Sequence, residues 1–377
     1  MYFFCPLFVF VSILFYTTQL VLKMRSQALY IPFALLHNTS MRIFAALILA
    51  TAIASTQTAD ELWRTISALD AGPSQRPNSA QEASTIALTH LAKQRVALDK
   101  FVRQYPDDAR TPRAFIRLAN VIAAEGHLRE NAEVTNAALK ILRKLQTSAT
   151  ASAEEHTDAA YWEASIVMQS ENLETRYRAI AEAAEKFAKT HPSDRRAPHL
   201  LAEAATVCDA DPALKRSLLS QARSMTADPA LLRRIDDDTR RFDMIGKKLD
   251  FSMPAFNKGG AKIDASQWRG QPTLLVFWSA ESAQSLLWLN DLRSTWKASD
   301  KYQIVTVAVD TNRREVETRA KAFQAPWLVA FDGKGWESPA IRALGINTLP
   351  NVWIIDAEGI VRSVNAKTNW QRQLGEK

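Results

Sequence analysis

Apolar residues in the first half of the chain follow the spacing of helices that bury one face. Between residues 55 and 245 the chain is rich in Ala, Leu, Glu and Arg, and apolar positions recur at helical intervals. The clearest run places apolar side chains along one face: Tyr177, Ile180, Ala181, Ala184, Phe187 and Ala188. Prolines punctuate the pattern, as they do between helices. We therefore expect an all-α region of helical hairpins over residues 55–245.

From Gly246 onward the pattern changes to short apolar runs. Only Gly126 lies between residues 73 and 245, whereas nine glycines lie from Gly246 to the end of the chain. The apolar runs indicate buried strands at 273–279, 303–309, 327–331, 351–356 and 360–364, with helices at 283–297 and 313–323. The last two strands are joined by "DAEG", a hairpin turn. This order predicts an α/β sandwich with parallel and antiparallel strands over residues 246–377.

Residues 1–54 have the composition of a leader. The segment 2–22 is nearly all apolar and is long enough to span a bilayer. A second signal begins at Met41 and Arg42, continues through apolar residues 43–50, and ends with the small residues Ala52 and Ala54 that signal peptidases require. Either residues 2–22 anchor the protein, or translation begins at Met41 and 41–54 is a removable signal peptide. The second interpretation is favoured because residues 41–54 contain every part of an export signal. Both predict export to a periplasmic or other extracytoplasmic space, with membrane attachment only if 2–22 is retained.

An internal repeat lies within the helical region. The segment "KFVRQYPDDARTP" at 100–112 matches "KFAKTHPSDRRAP" at 186–198, which lies 86 residues later. Each copy predicts a helix end, a turn that contains Asp, and a proline that starts the next helix. The pattern resembles tetratricopeptide-type helical hairpins, although the spacing differs from about 34 residues and the Trp/Gly/Tyr signature is absent. Such hairpins offer a concave surface for binding partners. A plain helical spacer is the alternative.

Charge, cysteine and histidine content narrow the function classes. The net charge is +7, from 47 Lys and Arg against 40 Asp and Glu, and three of the positive charges lie in the leader. Because no basic block follows, nucleic-acid binding is not expected. Cys5 lies in the leader and leaves Cys208 alone, so an intramolecular disulfide and a multi-cysteine metal site are excluded from the processed chain. The six histidines all precede residue 200 without metal-type spacing, and we expect no metal and no cofactor.

The region from Gly246 to about Ala366 resembles the thioredoxin-like fold, and within it the exported TlpA-like thiol–disulfide oxidoreductases and the AhpC/TSA redoxins. The resemblance rests on "GKKLDFSMPAFNKGGAKIDASQWRGQPTLLVFW" at 246–278, "TVAVD" at 306–310, and "FDGKGWESPAIRALGINTLPNVWIIDAEGIV" at 331–361, in family order. It covers about a third of the chain. The family keeps a cis-proline facing its active turn, which the resemblance places at Leu349–Pro350.

The active turn of that family carries a Cys-x-x-Cys motif, and here serines replace both cysteines. Counting from Trp278, the two positions fall on Ser282 and Ser285. The helix start that would activate a thiolate is retained, but a hydroxyl neither ionises usefully at neutral pH nor forms a disulfide. The aromatic residue before the first cysteine is replaced by Glu281, and a buried acid of the family by Trp288. A nucleophilic serine would need a base, and no histidine follows His199. We therefore expect Ser282 to act as a helix cap.

Three functional hypotheses follow. The leading one is a redox-inactive domain that binds or scaffolds a protein or peptide in the cell envelope, in a groove formed by Trp278, Glu281, Leu349 and Pro350. A second is an oxidoreductase with a non-standard site that uses Cys208. The third is an adaptor whose helical region carries the function while the redoxin domain is only structural.

Overall fold

The computed structural model describes residues 57–77, 79–169, 173–256, 261–296, 301–323 and 327–375. The leader predictions, including the anchor at 2–22 and the signal peptide at 41–54, lie outside these residues. By the density of their internal contacts, the described residues fall into two compact units, 57–169 and 173–375. The predicted boundary at 245/246 marks the change from helices to strands, and as a domain boundary it stays a prediction.

The described part of the first unit is helical. Its helices are α1 (Ala59–Leu69), α2 (Ala80–Gln104), α3 (Thr111–Leu128), α4 (Ala132–Leu145) and α5 (Ala153–Met168). Capping boxes start α1 at Thr58 and α5 at Ser152, each with a glutamate three residues later. The core between the helices contains Phe101 and Leu142, both fully buried. At Gly126 an added Cβ would lie 2.8 Å from the backbone nitrogen of Thr135, so glycine permits the close approach of α3 and α4.

Four more helices open the second unit: α6 (Leu173–Thr190), α7 (Ala197–Ala205), α8 (Pro212–Ser224) and α9 (Pro229–Phe242). The expectation of a helical region before the α/β region is confirmed. No helix within the described residues has the length and apolar content needed to cross a membrane.

Both copies of the sequence repeat form the same turn between two helices. In the first, the guanidinium of Arg110 donates to the carboxylate of Asp108 at 2.7 Å, and the backbone N–H of Arg110 donates to the same carboxylate at 2.9 Å. In the second, Arg196 and Asp194 make the corresponding bonds at 2.7 and 2.8 Å. The arginines therefore fix the acid-containing turns, and one copy lies in each compact unit.

The α/β region contains two small strands, β1 (Ser252–Pro254) and β2 (Lys262–Asp264), and a five-stranded sheet. The sheet is formed by β3 (Thr273–Trp278), β4 (Gln303–Ala308), β5 (Leu328–Ala330), β6 (Asn351–Ile355) and β7 (Val361–Ser363). Its order is β5-β4-β3-β6-β7, with β3, β4 and β5 parallel and β6 and β7 antiparallel to their neighbours. The mixed sheet and the hairpin at "DAEG" confirm the predicted architecture. The helices are α10 (Ala283–Thr295), α11 (Arg313–Phe323), α12 (Pro339–Ala343) and α13 (Trp370–Gln373).

Strand β3 is buried on both faces, as expected for the centre of a covered sheet. On one side Leu275 and Phe277 pack in a cluster with Phe242 of α9, and we call this side the α9 face. On the other, Val276 and Trp278 pack with Leu289 of α10, and we call this side the α10 face. The alternation of side chains along the strand thus builds two cores from one apolar run.

Helix α9 is joined to the loop before β6 by a buried polar network. The guanidinium of Arg241 donates to Asp238 at 2.5 Å, to the carbonyl of Gly345 at 3.2 Å and to the side-chain oxygen of Asn347 at 2.6 Å. The Asn347 amide donates in turn to Asp238 at 3.0 Å. Gly345 adopts a positive φ of 66°, and a Cβ there would collide with the backbone oxygen of Asp237 in α9. Helix and loop therefore meet through backbone contact as well as side chains.

Candidate binding edge

Strand direction brings the segments that carry the predicted site to one edge of the sheet. The turn at 279–282 follows β3, Asp310 follows β4, and the loop at 331–337 follows β5, so all three lie at the carboxyl ends of parallel strands. Strand β6 runs in the opposite direction, and the pairing of Phe277 with Asn351 places Pro350 at this same edge. The Leu349–Pro350 bond is cis, as predicted from the sequence.

Ser282 and Ser285 form the first turn of α10. Ser282 is the N-cap, and its hydroxyl oxygen accepts a hydrogen bond from the backbone N–H of Ser285 at 3.2 Å. Ser285 is fully buried, and its own hydroxyl has no hydrogen-bond partner among the described residues. The two hydroxyls thus occupy the i and i+3 positions expected from the sequence, with one used as a cap and the other enclosed.

Asp310 fixes the turn that precedes α10. Its buried carboxylate accepts from the hydroxyl of Ser279 at 2.7 Å and from the backbone N–H of Ala280 at 3.1 Å. Burial raises the pKa of this carboxyl above its ordinary value, and the hydrogen bond from Ser279 opposes that shift. The backbone oxygen of Asp310 also accepts from Gly335 at 3.2 Å. One residue therefore holds together the loops after β3 and β5.

The predicted groove residues differ in accessibility. Trp278 is only 1% exposed and belongs to the core of the α10 face, so its side chain lies beneath the edge and not on its surface. Glu281 is exposed, Leu349 is half-buried and Pro350 is buried. Among the described residues, no hydrogen bond to the backbone of Leu349 is recorded. Of the four predicted groove residues, Glu281 is thus the exposed one and Leu349 is partly accessible.

Two further residues at the edge were not singled out by sequence reasoning. Trp336 follows Gly335 and is 47% exposed, which is unusual for a tryptophan. Lys367 offers its carbonyl to the indole N–H of Trp288 at 3.1 Å, and burial lowers the pKa of its amine to about 8. At the position where the resemblance places a buried acid, Trp288 thus presents an uncharged N–H donor. The two glycines at 333 and 335 indicate a loop, but they do not predict that the tryptophan next to them is exposed.

Cys208, the cysteine that lies outside residues 1–54, is enclosed in the helical part of the second unit. It is fully buried, its thiol donates to the carbonyl of Ala204 at 3.2 Å, and burial raises its pKa to about 11. A thiol in this state supplies little thiolate at neutral pH. Over the described ranges, no group of three or more His, Cys, Asp or Glu side chains is arranged to hold a metal ion.

Comparison with known proteins agrees with the topology of the α/β region. Residues 245–364 match the model of the AhpC/TSA family. No curated protein matches the chain.

Several solved structures are similar to about a third of the chain. A carboxy-terminal domain described as a thiol-disulfide oxidoreductase from Bacteroides thetaiotaomicron is 20% identical, with coverage of 34% of this chain and 91% of that chain and a TM-score of 0.31. A protein described as the thiol:disulfide interchange protein DsbE from Chlorobium tepidum is 27% identical, with coverage of 34% and 94% and a TM-score of 0.29. A secreted disulfide oxidoreductase from Mycobacterium tuberculosis is 14% identical, with coverage of 36% and 97% and a TM-score of 0.29. The strand order and the cis-proline give this region a thioredoxin-like fold, and the AhpC/TSA family model matches it over about a third of the chain.

Proposed function

We propose that the thioredoxin-like domain is an exported binding domain that holds an extended segment of a partner protein and performs no thiol–disulfide exchange. The observation that carries the proposal is an edge that keeps the cis-proline and the helix start of a redox site but has hydroxyls where sulfurs would react. Export rests on the signal predicted at 41–54.

The chemistry of the site argues against thiol exchange. After Cys208 the chain contains no cysteine. The hydroxyl of Ser282 caps the helix and that of Ser285 is fully buried, and among the described residues neither hydroxyl donates a recorded hydrogen bond to a basic side chain. The alternative that uses Cys208 requires a reactive thiolate, whereas burial raises the pKa of this thiol to about 11.

The same edge has the features of a strand-binding surface. The backbone of Leu349 lies next to the end of β3 and forms no recorded hydrogen bond with the described residues, so it is available to pair with an added extended segment. Trp336 offers an exposed ring, and tryptophan is enriched among residues that dominate binding energy. Glu281 adds an exposed negative charge. We infer that the partner segment is extended and carries an apolar side chain near a Lys or Arg.

Display of random 12-residue peptides against the full-length protein tests this proposal. Peptides enriched on the wild-type protein are expected to weaken at least about fivefold with Trp336→Ala, because loss of a central aromatic anchor costs 1 kcal/mol or more. Glu281→Gln should weaken those that carry a basic residue. The control is Val96→Ala, at an apolar position 68% exposed on α2.

Two outcomes contradict the proposal. If the enriched peptides bind the Trp336→Ala and Glu281→Gln proteins as tightly as wild type, the edge is not the binding surface and the helical adaptor becomes the better hypothesis. If the Cys208→Ser protein reduces insulin with clear turnover, the domain is not redox-inactive.

A further inference from the structure

A cavity of about 340 Å³ opens on the α10 face of the sheet, beneath helix α11. Four aromatic side chains from different parts of the domain line it, Phe256, Trp278, Phe323 and Trp327, together with Leu289, Thr306 and Val329. The charged side chains that line it belong to α11. Neither Ser282 nor Leu349 of the binding edge lines this cavity.

Helix α11 leaves this space open because it turns few apolar side chains toward the sheet. Val316 is the only residue of the helix recorded as buried within the described chain. Besides Phe323 at its end, the positions of the helix that line the cavity are Arg313, Glu317, Ala320 and Lys321, which follow one another along one side. The helix is therefore built with room between itself and the sheet.

The charges at the mouth of the cavity are not balanced. Lys321 and Glu317 pair with each other at 2.7 Å. Arg313 makes no ion-pair contact within the part of the chain that the structure describes, but its charge also acts on Glu317, and its guanidinium lies over the ring of Phe256 at 4.6 Å from the ring centre. Two cations therefore share one carboxylate, and the net positive charge beside the cavity favours a negatively charged ligand.

Trp278, one of the residues that line the cavity, carries a donor without an acceptor among the described residues. Its indole N–H is buried. Buried donors are normally paired, so this one has hydrogen-bonding capacity that the described residues do not use. A ligand with oxygen atoms complements the wall better than a pure hydrocarbon does.

We propose that this cavity binds a small carboxylate with an aromatic or branched apolar body, whose charged end pairs with Arg313. An engineered cavity of about 150 Å³ accommodates benzene, so this larger space admits one ring and a short chain. Its volume falls at the lower end of the range for small-molecule sites. The proposal does not depend on the proposed peptide-binding function.

Isothermal titration of the full-length protein with three matched probes tests the assignment. The probes share one apolar body and differ in charge: 4-phenylbutyrate, 4-phenylbutan-1-ol and 4-phenylbutylammonium. We expect the carboxylate to bind most tightly, the alcohol more weakly and the ammonium least. Arg313→Gln should weaken the carboxylate by about fivefold, the size expected for a partly exposed ion pair, and leave the alcohol unchanged. Arg314→Gln is the control, because this neighbouring exposed arginine does not line the cavity.

Filling the cavity provides an independent arm. Ala320→Phe should abolish binding of the carboxylate and the alcohol, with Ala320→Leu as a milder version if circular dichroism shows that the first variant is unfolded. The proposal is overturned if none of the probes binds at millimolar concentration, if the three bind equally, or if Arg313→Gln and Arg314→Gln behave alike. Binding that survives in a folded Ala320→Leu or Ala320→Phe protein without loss of affinity places the probe elsewhere and overturns it as well.

Discussion

The hydroxyl of Ser279 donates a hydrogen bond of 2.7 Å to the buried carboxylate of Asp310. Through this bond, and through the carbonyl of Asp310 that accepts from Gly335, the turn before α10 and the loop that carries Trp336 share one support. The relative placement of the two loops at the edge thus depends on a single side chain and its backbone.

Replacement of Asp310 should therefore affect both the fold and the edge. Asp310→Ala removes the acceptor of Ser279 and Ala280 and should reduce the free energy of unfolding by about 1–3 kcal/mol, the cost of leaving buried donors unpaired. The matched control is Asp332→Ala, which also follows a strand but accepts one bond in an exposed turn. Urea unfolding followed by circular dichroism measures the difference. Equal losses for the two variants would contradict the role given to Asp310.

Gly345 offers a test of the contact between α9 and the loop before β6. Gly345→Ala adds a Cβ at a positive φ and against the backbone of Asp237 and Arg241. Gly246→Ala has the same backbone strain, since φ is 81°, but nothing lies within 4 Å of the new atom. We expect about 1–2 kcal/mol of destabilisation from strain at Gly246 and a clearly larger loss at Gly345. Similar melting temperatures for the two variants would show that α9 does not press on the loop.

The two serines of α10 can be converted into cysteines. Ser282→Cys with Ser285→Cys places two thiols at i and i+3 of a helix start, where the dipole favours a thiolate at the half-buried first position. The double variant should form an internal disulfide and gain weak insulin reductase activity, while each single variant gains none. Thiol titration and mass spectrometry measure the oxidation. A double variant that stays reduced under excess oxidant means that the serines are not arranged as a Cys-x-x-Cys pair.

The first repeat turn should make stability depend on pH in acid. Hydrogen bonding from Arg110 lowers the pKa of Asp108 to about 2, against about 3.9 in an unfolded chain. A carboxyl whose pKa is lowered by folding stabilises the folded state above its unfolded pKa, and that contribution is lost as pH falls through about 2. Asp108→Asn should remove about 1–2 kcal/mol at pH 7 and flatten the dependence between pH 4 and 2.

Urea unfolding at pH 7, 4 and 2.5 measures this effect, with Asp107→Asn as the exposed neighbouring control. If Asp107→Asn loses as much stability as Asp108→Asn, the pH dependence comes from the overall charge of the protein and not from the Asp108–Arg110 pair. Asp194→Asn in the second copy should act in the same direction, because Arg196 lowers the pKa of that carboxyl too.

Local patterns predicted the parts of the fold that depend on local physics. The run at β3 is apolar at every position, and burial on both faces follows from that. The repeat predicted two like turns because proline and Asp-containing turns act over a few residues. The cap at Ser282 was likewise expected from its place before an apolar helix.

Contacts between distant residues could not be predicted in the same way. Asp310 and Ser279 are 31 residues apart, and the bond from Arg241 to Asn347 spans 106 residues. The residues around each member of these pairs do not indicate which distant residue it contacts. Strand β1 was not predicted for another reason. Ser252–Pro254 buries only Met253 and has no apolar run. Trp278 was expected at a surface, but its alternation within β3 directs it into the α10 face.

The network of Arg241, Asp238 and Asn347 limits where the chain can be shortened. A polypeptide that begins at Gly246 lacks the whole of α9. The amide of Asn347 then loses its carboxylate partner, and Gly345 loses its close backbone contact with the helix. The apolar cluster of the α9 face is then exposed where Phe242 covered it. A fragment that starts near residue 173 retains every one of these contacts. Recombinant work on the redoxin part of this protein should therefore use the longer fragment, because the shorter one is expected to be poorly soluble for reasons unrelated to its binding edge.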